Sequence, residues 1–145
     1  GHLQWGQGIQ NDIIDATKSG AVITFQALAG DLTGGADLLT GGTTTNDVIN
    51  ITAGGTADLN GLTRVETIVI DNDLVAGENT VVNLDALAAE VDGSLLTITV
   101  KDSTSADTVT INGATVTENV TVNGGAGVDQ ITTGSGVDTI NGNGG

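Results

Sequence analysis

The feature that most constrains this chain is a nonapeptide written twice without a gap. Gly124-Gly-Ala-Gly-Val-Asp-Gln-Ile-Thr132 runs straight into Thr133-Gly-Ser-Gly-Val-Asp-Thr-Ile-Asn141, so that [GT]-G-x-G-V-D-x-I-x recurs with Asp129 and Asp138 nine residues apart. Gly142-Asn-Gly-Gly145 reads as the opening of a third copy. A glycine-rich turn, one carboxylate and a β-branched strand residue at this period describe short parallel strands stacked as a roll, with the acids in its turns.

The composition agrees with such a stack. Apolar residues make up 38% of the 145, yet nearly all are Val, Ile, Leu and Ala, with one Phe and one Trp. A globular core of this size uses several aromatics for their large buried area, whereas a narrow solenoid interior is filled by aliphatic ladders. Proline is absent, as expected where backbone N–H groups are committed to ladders. The 23 glycines follow no collagen period and read as repeated tight turns. Three bases against 18 acids give a formal charge of −15. That charge argues against nucleic acid or an anionic membrane as partner and makes a divalent cation the natural one. No apolar run is long enough to span a bilayer, so no membrane insertion is expected. The chain has no cysteine, which suits export.

Along the chain, Asn11-Asp-Ile-Ile-Asp15 is the first trace of the repeat and returns as Asn46-Asp-Val-Ile-Asn50. Trp5 reads as a cover for the open end of the stack. Asp37 lies in a nonapeptide-like unit with displaced glycines, and Asp47 follows Thr43-Thr-Thr45 where the motif would have glycine. Residues 1–57 are thus expected to form a cap and degenerate coils. Residues 58–101 leave the nine-residue rhythm and read as wider coils. Strands are expected over residues 63–70, 79–84 and 94–100, with a helical corner over 85–91. Residues 102–145 return to a tight repeat in which Asp107, Glu118, Asp129 and Asp138 step by 11, 11 and 9 residues. If successive units occupy opposite walls, Asp129 should stack over Asp107 and Asp138 over Glu118.

The doubled motif resembles the RTX nonapeptide of secreted bacterial proteins, G-G-x-G-x-D-x-U-x, with U a large apolar residue. The likeness is close over residues 124–141 and degenerate elsewhere. It implies an all-β, right-handed parallel β-solenoid (a β-roll or β-helix) with calcium-binding glycine-rich turns. It also implies type I secretion through a C-terminal signal beyond Gly145. The V-E-T-I-x-I and L-T-I stretches within 58–101 are similar to segments found among RTX repeats in large adhesins and S-layer proteins.

Charge arithmetic points the same way. Stacked coils lie ~4.7–4.9 Å apart, and two carboxylates at that spacing repel by ~3–4 kcal/mol at an effective dielectric of about 20. Ca²⁺ takes roughly six to eight oxygens and mixes carboxylates with backbone carbonyls, which glycine-rich turns can supply. The candidate ligands are Gly125, Gly127 and Asp129 in the first copy and Gly134, Gly136 and Asp138 in the second. Asp107, Glu118, Asp37 and Asp47 follow from the degenerate units. Mg²⁺ demands tighter octahedral geometry, and Zn²⁺ would lack thiol or imidazole ligands.

Catalysis has no footing. Without cysteine, and with His2 as the single histidine, the usual nucleophile–base pairs cannot be assembled. Asp71-Asn-Asp73 is the one close acid pair that polysaccharide cleavage could use. The expectation is therefore a non-enzymatic, calcium-binding structural segment of a secreted cell-surface or matrix protein, such as an S-layer, adhesin or filament subunit. It would fold on meeting Ca²⁺ outside the cell, self-associate end to end or in a lattice, and possess at most a cell-surface glycan as further partner. The alternative is a calcium-dependent carrier domain of an RTX-type protease, lipase or toxin.

Overall fold

The computed structural model describes residues 2–4, 12–32, 37–52, 54–71, 76–85, 88–89, 95–102 and 104–145, with backbone alone for 2–4. Trp5 and Asp73, and with them the capping and acid-pair expectations, lie outside the described residues. The described chain is all-β, and every strand pairing in it is parallel. In order the strands are β1 (His2–Gln4), β2 (Ile13–Asp15), β3 (Thr24–Ala27), β4 (Leu38–Thr40), β5 (Val48–Ile51), β6 (Gly55–Asp58) and β7 (Leu62–Thr63). β8 (Thr67–Asp71), β9 (Asn79–Asn83), β10 (Leu96–Lys101), β11 (Thr108–Asn112), β12 (Val120–Asn123), β13 (Val128–Thr132) and β14 (Thr139–Asn141) complete them.

A seven-stranded sheet runs β1-β3-β5-β8-β10-β12-β14, a four-stranded one β13-β11-β9-β6, and a three-stranded one β2-β4-β7. The chain leaves the large sheet, adds a strand to one or both of the smaller ones, and returns to lay its next strand beside the last. Thr24, Val48, Thr67, Thr97, Thr121 and Thr139 fall in one file across the large sheet, so the returns take 24, 19, 30, 24 and 18 residues. The last return is two nonapeptides long.

Alternation explains why these segments are strands. In β10, Leu96, Ile98 and Val100 are buried while Thr97 and Thr99 point outward and are half-buried, the period of two that a pleated strand imposes. β-Branched residues fill both faces, where they suit the pleat. Register then places apolar on apolar: Phe25, Ile49, Ile68, Ile98 and Val122 form one buried file. Each such side chain contributes about 1.5–3 kcal/mol on burial, so an aliphatic file replaces the aromatic core of a globular domain. Asn83 with Asn112 and Asn123 with Asn141 are register partners joined through their side-chain amides at 2.8 and 2.9 Å.

One expectation changes. The single strand expected over residues 63–70 is broken by a corner, where Arg64 adopts φ 61° and its Nε donates to the Gly42 carbonyl at 3.1 Å. The chain must cross there from the three-stranded to the seven-stranded sheet, and β-branched content alone does not register such a crossing. The helical corner expected over 85–91 lies largely outside the described residues; of those described, Ala88 and Ala89 form a turn.

Candidate metal centre

The acids of the repeat sit two residues before an inward apolar residue: Asp37 before Leu39, Asp47 before Ile49, Glu66 before Ile68, Asp107 before Val109, Asp129 before Ile131. Positions two apart on a strand share a face, so each carboxylate is directed toward the margin of the core. Asp37, Asp47, Glu66 and Asp107 are buried, at 6%, 0%, 3% and 1% exposure. Buried charges of this kind require hydrogen-bond partners, and the backbone supplies them by one rule. The carboxylate of the residue just before a strand accepts the N–H of its register partner in the preceding pass of the chain. Asp37 takes the Asp12 N–H at 2.9 Å, Asp47 that of Ile23 at 2.7 Å, and Glu66 that of Asp47 at 3.0 Å. Asp107 takes that of Glu78 at 3.0 Å and Asp138 that of Val120 at 3.0 Å. For the first four the next residue returns its own N–H to that partner's carbonyl, at 2.8–3.0 Å, closing a two-pronged clamp.

The candidate ligands divide on this basis. Both oxygens of Asp47 are engaged, since Thr44 Oγ1 and the Gly42 N–H join Ile23. The Thr44 hydroxyl, where the motif would have glycine, is thus one of the donors that fill the Asp47 carboxylate. Asp107 is likewise filled: Oδ1 receives the Gly77 and Glu78 N–H groups at 2.6 and 3.0 Å, and Oδ2 the Thr104 hydroxyl at 2.8 Å. Burial works against the Asp107 charge, yet these three donors outweigh it and hold the carboxyl below its ordinary value of 3.8. Asp37 gives Oδ1 to Asp12. Glu66, which the repeat pattern did not single out, is the converse. Burial pushes its carboxyl up, the nearby Asp47 charge adds to this, and Oε1 is shut from water with no hydrogen-bond partner.

In the C-terminal repeat the expected stacking is corrected. Asp129 pairs with Val109 rather than Asp107, and the β12–β14 register sets Asp138 over Val120 rather than Glu118. Both are shifted by two residues. A shift of two preserves the inward and outward faces, so the hydrophobic pattern could not detect it; turn length decides it. Six residues of sequence separate β10 from β11 but only four separate β12 from β13, so the shorter connection brings Asp129 forward onto the core.

That shift makes the 124–127 turn distinctive. Asp129 Oδ2 accepts the Gly125 N–H at 3.0 Å, while Oδ1 is buried with no hydrogen-bond partner. Burial raises the Asp129 pKa, opposed by the Gly125 N–H and aided by the Asp102 charge. The glycines leave room that any side chain would fill. A Cβ on Gly124 would stand 2.5 Å from Asp129 Oδ2 and 3.0 Å from the Gly142 carbonyl oxygen, and one on Gly127 would collide with the Asp107 carbonyl. Asp102, from the preceding pass, turns Oδ1 onto the Ala126 and Gly127 N–H groups. In the second copy, Gly136 adopts φ 113° against the Glu118 carbonyl, and Gly134 packs on the Val116 backbone. The Glu118 Oε2 there is buried without a hydrogen-bond partner.

An anionic oxygen closed off from water and from every donor, in a turn built of glycines, suits a hard cation such as Ca²⁺. Among the described residues no three His, Cys, Asp or Glu side chains converge as a metal cage, so an ion here would take backbone carbonyls as well. Asp129 with the 124–127 turn fits; Asp47 and Asp107 have their oxygens occupied. Compared with protein-family models, with curated proteins and with solved structures, the chain matches none of them.

Proposed function

We propose that the chain is a right-handed parallel β-solenoid, in which each return to the large sheet is one coil, and that it serves as a calcium-binding structural segment of a secreted surface or matrix protein. The observation that carries the reading is the buried, partnerless Oδ1 of Asp129 in the turn that matches the nonapeptide best. Metal-free, that oxygen keeps its desolvation penalty, of order 1–3 kcal/mol and more for a charged group. Ca²⁺ would relieve it, so binding free energy becomes folding free energy. The right-handed sense follows the rule for parallel crossovers. At low Ca²⁺ inside a cell the C-terminal coils stay loose and exportable; outside they close.

End-to-end association accompanies this reading. The seven-stranded sheet has β14 as one outer strand, with Val137 and Ile140 exposed at 77% and 48%, and β1 as the other. Unpaired edges of this kind template further pairing, and a head-to-tail contact that does not close yields a filament. The test is a Ca²⁺ titration into chelated protein, followed by circular dichroism, melting and light scattering. A gain in β signal and melting temperature, then growth of scattering, is expected. An unchanged melt removes the calcium switch, and a folded monomer at saturating Ca²⁺ removes the assembly.

A further inference from the structure

We propose that Asp102, which lies outside the repeat motif, is the second carboxylate of the cation site at the 124–127 turn, so that one ion ties two successive passes of the chain together. This rests on the calcium reading and adds to it a ligand that no alignment of the repeats supplies. The pairing Thr99↔Asn123, continued for three residues, sets Asp102 under Ala126. The pairing Thr108↔Val128 sets Asp107 under Gly127. Asp102 and Asp107 are thus five positions apart in the sequence where their partners Ala126 and Gly127 are adjacent, so this pass carries four more residues than the tighter turn above. That difference in length sets Asp102 apart from the spacing of the repeat.

The two acids are used alike. Asp102 Oδ1 accepts the N–H groups of Ala126 and Gly127, and Asp129 Oδ2 accepts that of Gly125. Each then keeps one oxygen, Asp102 Oδ2 and Asp129 Oδ1, buried without a hydrogen-bond partner. The backbone N–H groups hold both carboxylates against the same four-residue turn while leaving one oxygen of each unmatched. The glycines are explained by the same approach. A Cβ on Gly125 or on Gly127 would lie 2.9 Å from Asp102 Oδ2, so a side chain at either would displace the carboxylate. Two like charges pressed on one turn, each with an oxygen cut off from water, are compensated together by a cation that takes both free oxygens.

The test compares the full chain with Asp102→Asn, which keeps an oxygen for the Ala126 and Gly127 N–H groups, and with Asp129→Asn. Ca²⁺ affinity is read by calorimetry, and bound Eu³⁺ luminescence lifetimes in light and heavy water count the waters left on the ion. Both variants are expected to lose affinity on the order of ten- to a hundred-fold, and to show extra water on Eu³⁺ at saturation. In chelator, Asp102→Asn should melt no lower than the parent, while its Ca²⁺-induced rise in melting temperature shrinks. If Asp102→Asn leaves affinity and water count unchanged while Asp129→Asn alters both, Asp102 is only a staple and the inference is overturned, with the calcium reading intact. Absence of Ca²⁺ binding by the parent chain overturns both.

Discussion

Asp47→Ala separates the two roles an acid can have in this fold. Its carboxylate is fully buried and accepts the Ile23 N–H at 2.7 Å, the Gly42 N–H at 2.7 Å and the Thr44 hydroxyl at 3.0 Å. Alanine would strand the two N–H groups, because no water reaches them, whereas the hydroxyl can rotate. At about 1–3 kcal/mol for each unsatisfied buried donor, the loss is about 2–6 kcal/mol, a large part of the ~5–15 kcal/mol that holds a small domain together. Asp138→Ala frees one N–H, that of Val120, from a half-buried carboxylate in an exposed coil, and should cost about 1 kcal/mol. Urea unfolding followed by circular dichroism, in chelator and again in saturating Ca²⁺, measures both. The Asp47→Ala loss should be the larger and equal under the two conditions. A loss below about 1 kcal/mol, or one that disappears in chelator, would refute the clamp and make Asp47 a metal ligand.

Three other outcomes can be checked on the same protein. In chelator, the raised carboxyls of Glu66 and Asp129 favour the fold when protonated, so their contribution is full below the ordinary carboxylate range and lost as pH rises through their folded values. Asp107 acts oppositely: its contribution is present above the ordinary value and lost as pH falls through the depressed one. Melts across about pH 4–8 should therefore decline on the alkaline side, and Glu66→Gln should flatten that decline; an unchanged slope would contradict the assignment. Gly127→Ala, whose Cβ meets the Asp107 carbonyl, should cost about 1–3 kcal/mol. Gly30→Ala, with nothing within 4 Å of its Cβ, should stay within about 0.5 kcal/mol in the same urea assay. Asn112→Ala should cost about 0.5–1.5 kcal/mol by removing the amide bond to Asn83, and an effect no larger than that of Asn60→Ala would show that the amide ladder does not contribute.

The parts of the fold legible in the sequence were those with a local signature. β-Branched content marked β9 and β10 through the stretches 79–84 and 94–100. The nonapeptide marked the turn that holds Asp129. What escaped depended on register between passes of the chain. The offset that moves Asp129 from Asp107 onto Val109 leaves every apolar residue on the same face, so no hydrophobic pattern records it. Asp102 escaped because its place is set by the four extra residues of sequence between it and Asp107 rather than by spacing from a glycine. Glu66 was hidden inside an apparent strand, and only the left-handed corner at Arg64 turns it onto Asp47. The acids at the feet of β4, β5, β11 and β14 were legible as turn residues. That they clamp the preceding pass through a backbone N–H became clear only once register partners were known.

The most direct test of the account is a high-resolution diffraction map of crystals grown with Ca²⁺, using the anomalous signal of the metal to locate it. The account predicts a peak at the 124–127 turn with Asp129 Oδ1 and glycine carbonyls at about 2.3–2.6 Å, and none beside the filled carboxylates of Asp47 and Asp107. Asp129 open to solvent with no ion in that turn would contradict it.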